Sequence, residues 1–314
     1  MNGNEKIRIR LGTRGSKLAR WQADWCAERL RRQGIEVEIV VIETSGDLVQ
    51  DQSIVNIGAQ GVFTKEIQRA LLRREIDVAV HSLKDLPTEP VDGLVLGAVP
   101  TRGPYRDAFL SRQAARIEEL PGNSRLGTGS LRRKTQIINR FGDRFRIEDI
   151  RGNVETRLRK LDDEEYDALI LAEAGLERLG FADRICSFLE PPLFLPAVGQ
   201  GALGLEIRSG DAEISEIVTS ISDRETFSAV LAERSMLQTL QGGCIAPIAA
   251  LGTVTDDTLA LHGRILSLDG SKIFEITRSC SMADDPARLG KELADDLLRQ
   301  GAASVMEEIR QRRK

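Results

Sequence analysis

The sequence predicts an α/β protein: two doubly wound domains followed by a small α+β C-terminal domain. Three observations carry this. Strand-like and helix-like segments alternate from Ile7 to Ile207, the pattern of parallel β-α-β units. Two punctuated stretches interrupt that series: Pro100–Pro104, with Pro, Gly and charged residues, and Glu190–Pro196, with three prolines. After Ser222 three alternating strands are grouped ahead of a helix. A chain of 314 residues also exceeds what one core commonly organises.

Taken in order, Ile7–Thr13 alternates apolar and charged residues and reads as a strand. Ser16 can cap the next helix, where Ala19, Ala23, Cys26 and Leu30 recur at helical spacing and Gly34 ends the run. Ile35–Ile42 is a second strand, Lys65–Arg74 a helix and Ile76–Val80 a short buried strand. The second series is Arg125–Thr128, a helix over Ser130–Arg140, Phe145–Ile150, a helix over Val154–Leu161 and Ala168–Ala172. Leu203–Ile207 reads as a buried strand returning to the first sheet. The expected domains are therefore 1–100 with 201–219, then 105–195, then 222–314. In the last, Ser222 and Glu225 fit a capping box. Strands follow at Ile248–Val254, Leu259–Leu266 and Lys272–Arg278, and Asp285 caps a helix with Pro286 at its first position. Trp21, Trp25 and Phe227 read as core.

Composition narrows the function. Hydrophobic content of 41% and charged content of 29% describe an ordinary globular chain. A net charge of −4 gives no general affinity for nucleic acid. The four cysteines are far apart and only His81 and His262 supply imidazoles, so a zinc site is not expected. No apolar run reaches membrane-spanning length and the N-terminus is polar, so the expectation is a cytoplasmic protein with reduced thiols. Gly199–Gly204 matches Gly-x-Gly-x-x-Gly but precedes a strand, which excludes a dinucleotide fingerprint.

Charge is distributed unevenly. Between Arg125 and Lys160 there are eleven Lys/Arg against four Asp/Glu. Arg132 and Arg133 fall in the first turn of a helix after Gly127-Thr128-Gly129-Ser130, where cations oppose the helix dipole; an anion partner would explain them. Arg151 ends a strand. Thr13-Arg14-Gly15-Ser16 and His81-Ser82-Leu83-Lys84-Asp85 stand at strand ends in the first half. Together these loops would face each other across an anion-binding cleft. Asp85 is the one carboxylate among cations, either an ion-pair partner of Lys84 or a nearby arginine, or a general acid or stabiliser of positive charge. His81 reads as a packing or hydrogen-bonded residue. Cys244 follows two glycines just past a helix, an accessible place for a thiol. A solvated basic face, a small-anion-binding protein and a nucleic-acid surface at Arg132-Arg133-Lys134 remain the alternatives.

These segments resemble the porphobilinogen deaminase (hydroxymethylbilane synthase) family. The matching pieces are Thr13–Ala19, Val80–Pro87, Gly127–Arg133, Arg151–Leu158, Leu195–Ala202, and Glu233-Arg234 through Gly242-Gly243-Cys244 to Pro247. The resemblance implies two periplasmic-binding-protein-like domains and a third carrying Cys244. It implies a dipyrromethane cofactor bound by a thioether to Cys244, on which four porphobilinogen molecules condense with loss of ammonia. It casts Asp85 as the catalytic carboxylate. Lys84, Ser82, Ser16, Thr128, Ser130, Arg132 and Arg133 become cofactor ligands, and Arg14, Arg151, Arg157 and Arg178 substrate ligands. Phe63, in the Gly58–Phe63 loop, would lie against pyrrole rings. The family is usually monomeric. Gly129, Ala246 and Gln60 depart from its common pattern.

Overall fold

A computed structural model describes residues 7–43, 64–243 and 246–311. The chain forms two compact units, Met1–Arg102 with Ala202–Phe227, and Gly103–Gly201 with Ser228–Lys314.

In the first unit, β1 (Arg8–Arg14), α1 (Lys17–Arg32), β2 (Glu36–Ile42), α2 (Lys65–Leu72), β3 (Val78–Ser82) and β4 (Leu94–Ala98) precede a crossing to the other unit. The chain returns through β10 (Leu203–Arg208) and α6 (Ala212–Thr219). The sheet order is β2-β1-β3-β10-β4. β1 pairs in parallel with both neighbours, while β10 runs antiparallel between β3 and β4. The strand expected to return to this sheet does so. Both faces are covered, as a mostly parallel sheet requires. On one, Ala23, Cys26, Ala27 and Leu30 of α1 join Ile214, Ile217 and Val218 of α6. On the other, Ile67, Ala70 and Leu71 of α2 pack on Ala79 and Leu94.

The second unit repeats the plan. Its elements are β5 (Asp107–Ser111), β6 (Arg125–Gly127), α3 (Leu131–Phe141), β7 (Arg146–Glu148), α4 (Val154–Asp162), β8 (Ala168–Ala172), α5 (Glu173–Arg178) and β9 (Ser187–Leu189). They give the order β7-β6-β8-β5-β9, with β5 antiparallel to β8. Strand alternation feeds two cores. Phe109, Ala168 and Ile170 face Ile137 of α3, whereas Ala108, Leu110, Leu169 and Leu171 face Leu158, Leu161 and Leu176.

The same unit holds the third sheet. α7 (Arg224–Leu240) leads to the antiparallel meander β11 (Ile248–Thr255), β12 (Thr258–Leu266) and β13 (Ile273–Ser281). α8 (Pro286–Leu297) and α9 (Ala303–Gln311) follow. Ala232, Met236 and Leu240 of α7 and Leu289, Leu293 and Leu297 of α8 pack on Leu259, Leu261 and Ile265. The fold class is thus the expected one.

Some local expectations change. The N-cap of α7 is Asp223, whose Oδ1 accepts from Thr226 N at 2.8 Å; Ser222 is spent one residue earlier, its Oγ bonded to both backbone groups of Val99. Asp285 does cap α8, accepting from Ala287 N at 2.9 Å. Trp21, Trp25 and Phe227 are half-buried; Trp25 lies under the Arg29 guanidinium. β4, β5, β9, α5 and α6 were not legible as elements.

The approach of α7 and α8 depends on Gly290. A β-carbon there would lie 2.1 Å from Ala232 O and 2.8 Å from Met236 N, both backbone atoms that cannot rotate away. Gly290→Ala is expected to cost about 1–3 kcal/mol through a forced helix shift. A clear fall in thermal midpoint would show it; an unchanged midpoint would mean that the helices part freely.

Candidate active site

Each unit gathers its polar loops at the carboxyl ends of its central strands. In the first, the end of β1 delivers Arg14 and Ser16. Ser16 caps α1, its Oγ accepting from Ala19 N at 3.3 Å. Buried Thr13 braces the same turn, donating to Ala19 O at 3.0 Å. A cap uses a lone pair, so the Ser16 hydroxyl proton stays available to an anion.

β3 ends in Ser82, and a 3-10 turn follows over Leu83–Asp85. Leu83 is buried and its N–H donates to Ala202 O at 3.0 Å, which anchors the turn. Ser82 Oγ accepts from Gln22 Nε2 at 2.7 Å. Lys84 is half-buried and Asp85 is exposed. Among the described residues the Asp85 carboxylate makes no hydrogen bond or ion pair, so the ion pair with Lys84 is not formed. His81 is buried, with Nε2 at 3.0 Å from Glu206 Oε2, while Gln68 Nε2 donates to Glu206 Oε1 at 2.9 Å. That matches its expected role as a hydrogen-bonded interior residue.

In the second unit β6 ends at Gly127. Thr128 is buried and its N–H donates to Glu148 O at 3.0 Å. Ser130 caps α3, its Oγ accepting from Arg133 N at 3.4 Å. A β-carbon at Gly129 would sit 2.9 Å from Ile150 O, which gives a physical reason for glycine there.

Arg132 and Arg133 do have an anion partner, and it is Asp107 at the start of β5. Arg132 Nη1 reaches Asp107 Oδ2 at 2.7 Å, and Arg133 Nε and Nη2 reach Oδ1 at 2.9 and 2.8 Å. Arg132 Nη1 also donates to Leu195 O at 2.6 Å and Arg133 Nη1 to Ile170 O at 3.0 Å. All three side chains are buried. Burial pushes the Asp107 carboxyl up, but the charges and hydrogen bonds of Arg132 and Arg133 outweigh it and hold it well below the usual carboxylate range. Two guanidiniums and one carboxylate leave one buried positive charge in excess. Arg132 Nε is buried without a partner among the described residues.

The other arginines are more open. Arg151 is half-exposed and its Nε donates to Asp149 Oδ2 at 2.9 Å. Arg157, in α4, donates through Nε to Gly152 O at 2.8 Å. Arg178 closes α5 and its Nη2 donates to Gly201 O at 2.6 Å. Cys244 and Phe63 lie outside the described residues, as does the loop 58–63. The two glycines before Cys244 have separate reasons. At Gly242 a β-carbon would meet Ile248 Cδ1 at 2.1 Å, and Gly243 has φ +57°, left-handed backbone that favours glycine. Reasoning from sequence missed Asp107, because only the fold brings it to the two arginines.

A family model described as "Porphobilinogen deaminase, dipyromethane cofactor binding domain" matches residues 9–216, and one described as "Porphobilinogen deaminase, C-terminal domain" matches 227–299. The chain belongs to the porphobilinogen deaminase family. A porphobilinogen deaminase from Pelotomaculum thermopropionicum is 46% identical over 310 residues, covering 98% of each chain. One from Trichlorobacter lovleyi is 47% identical over 307 residues, covering 97% of each. Among solved structures, the methionine binding protein MetQ aligns with a TM-score of 0.45 at 14% identity, over 70% of this chain and 92% of its own. No described helix is long and apolar enough to cross a membrane, and no described cluster of His, Cys, Asp or Glu could hold a metal ion.

Asp107 has a folded-state pKa depressed below its unfolded value. Such a group adds stability that is present above the unfolded pKa and is lost as pH falls through the folded one. Its contribution is therefore constant through neutral and mildly acid solution. Asp107→Asn, which strips the counterion from two buried guanidiniums, is expected to cost about 3–5 kcal/mol. Urea unfolding at pH 5.5 and pH 8 should give the same loss. A variant as stable as its parent would mean that the arginines find another anion.

Proposed function

We propose that the chain is a transferase that condenses four porphobilinogen molecules into linear hydroxymethylbilane, elongating on a dipyrromethane joined to Cys244. The observation that carries the reading is Asp85: an exposed carboxylate without a partner among the described residues, at the end of the anchored turn that follows β3 and directly after Lys84. A carboxylate left unneutralised by its own fold suits a reaction whose intermediates are cationic.

The donor set fits the cofactor. Dipyrromethane and porphobilinogen carry carboxylates, and the second unit supplies one excess buried positive charge and one unused buried donor, Arg132 Nε. Thr128 and Ser130 add hydroxyls beside that pair, and Ser16, Ser82 and Lys84 add donors in the first unit. When bound, the cofactor supplies the nucleophilic ring carbon for the first new C–C bond. Sulfur suits its tether because a thiol adds readily to an electrophilic methylene carbon, forming S–C as the thiol proton passes to the ring nitrogen.

Asp85 acts on the substrate. The protonated amine of porphobilinogen leaves as ammonia with the bonding pair, and positive charge spreads over the pyrrole ring. The Asp85 carboxylate stabilises that charge and the ring N–H. After C–C bond formation the displaced ring proton must leave, and Asp85 is the group assigned to carry it. Arg14, Arg151, Arg157 and Arg178 hold substrate carboxylates. Guanidinium forks suit a polyanion because each can engage a carboxylate through two N–H bonds. Phe63 is assigned to the pyrrole faces. The reading includes a cytoplasmic, monomeric enzyme without nucleic-acid partners; the net charge of −4 supports the last point. A non-enzymatic anion-binding protein would need the arginines but would leave Asp85 and Cys244 without a task.

Asp85→Ala should lower turnover by at least about 10²-fold while the thermal midpoint stays at the parent's value. Activity within a few-fold of the parent would remove Asp85 from the mechanism. The denatured intact mass of the parent should exceed the sequence mass by two deaminated porphobilinogen units, and Cys244→Ser should lack that excess. An equal excess in both would move the attachment elsewhere.

A further inference from the structure

The arginine pair is held by more than its own helix. Asp107 accepts a further bond from Gln200 Nε2 at 2.9 Å, and the same amide donates to Tyr105 O at 2.7 Å and Arg106 O at 3.2 Å. Gln200 is buried, so its amide N–H groups have these oxygens as partners in place of water. The residue before it, Gly199, is fixed in turn. Its N–H donates to Glu233 Oε2 at 2.7 Å, and the other oxygen of that fully buried carboxylate accepts from Gly252 N at 2.8 Å. Glu233 lies on α7 and Gly252 on β11, the two elements that flank Cys244 in sequence. A continuous chain of bonds thus runs from Glu233 through Gly199 and Gln200 to Asp107, and from there to both guanidiniums.

We propose that Asp107, fixed by Gln200, is a positioning residue for Arg132 and Arg133. It aligns the two guanidiniums and leaves the pair one positive charge in excess, set to receive one carboxylate of the dipyrromethane. Without Asp107 the pair would repel and desolvation would favour its dispersal. With a second internal carboxylate the pair would be neutral and would offer a ligand no net charge. One carboxylate for two arginines satisfies both demands. The Gln200 amide holds Oδ1 of Asp107, which accepts from Arg133 and also from Arg132 Nη2 at 3.2 Å, while Oδ2 accepts from Arg132 Nη1.

This inference rests on the cofactor reading above, and its test separates the two. Full-length protein produced without a supply of porphobilinogen is mixed with porphobilinogen, and the gain of cofactor mass is followed by intact mass spectrometry. The variant is Gln200→Met, similar in size but without the amide donors, compared with the parent at a temperature where circular dichroism shows both fully folded. A displaced binding group commonly slows a reaction by one to two orders of magnitude, so loading by Gln200→Met should be at least about tenfold slower than by the parent. A merely structural Gln200 would lower the thermal midpoint and leave that loading rate unchanged, and equal rates would overturn the inference. If Gln200→Met does not fold, Gln200→Asn, one methylene short of Asp107, replaces it with the same expectation. A parent that gains no mass would overturn the cofactor reading itself, and the inference with it.

Discussion

A carboxylate buried with two guanidiniums is stable only while all three stay in contact, because each alone would face a large desolvation cost. In the second unit this constraint organises much else. Asp107 opens β5, Arg132 and Arg133 open α3, and Leu195 and Ile170 lend backbone carbonyls to the same cluster. Strand, helix and the segment before β10 are therefore fixed to one point. That point stands at the carboxyl end of β6, where Thr128 and Ser130 also lie. The fold and the candidate site share one set of charges, with one positive charge in excess.

The segment from Pro192 to Gly201 spreads that constraint. Arg264 of β12 donates to Pro192 O at 2.7 Å and Leu193 O at 2.8 Å, and Gln136 of α3 both donates to and accepts from Leu195. Ala250 N donates to Pro196 O, and Glu233 takes Gly199. A stretch with little regular structure is thus held through many of its polar backbone groups. Its contacts join the arginine-bearing helix to the meander that follows Cys244 in sequence.

The sequence was most legible where periodicity and capping act locally. The first two strands, α1 with its Ser16 cap, α3, α4, β8, β10 and the meander all follow from spacing and end signals. β5 was hidden because it begins with an aspartate, a residue that reads as a turn until its partners at Arg132 and Arg133 are known. β9 spans only Ser187–Leu189, too short to show alternation. At α7 two adjacent residues could cap, and the choice of Asp223 over Ser222 came from the bond that Val99 makes with Ser222. Candidate residues were recognised as a set of strand-end loops. Their division of labour was not, since whether an arginine is buried on an aspartate or half-exposed depends on distant chain. Arg132 and Arg133 looked like the most ligand-directed pair, yet most of their donors are spent inside.

In the proposed reaction a covalently tethered polyanion is lengthened one ring at a time by a carboxylate and a group of arginines. The most direct measurement is the denatured mass of the protein quenched during its reaction with limiting porphobilinogen. The expected result is a ladder of adducts above the resting mass, with steps of one deaminated porphobilinogen unit. A mass that never changes while porphobilinogen is bound or consumed would contradict it.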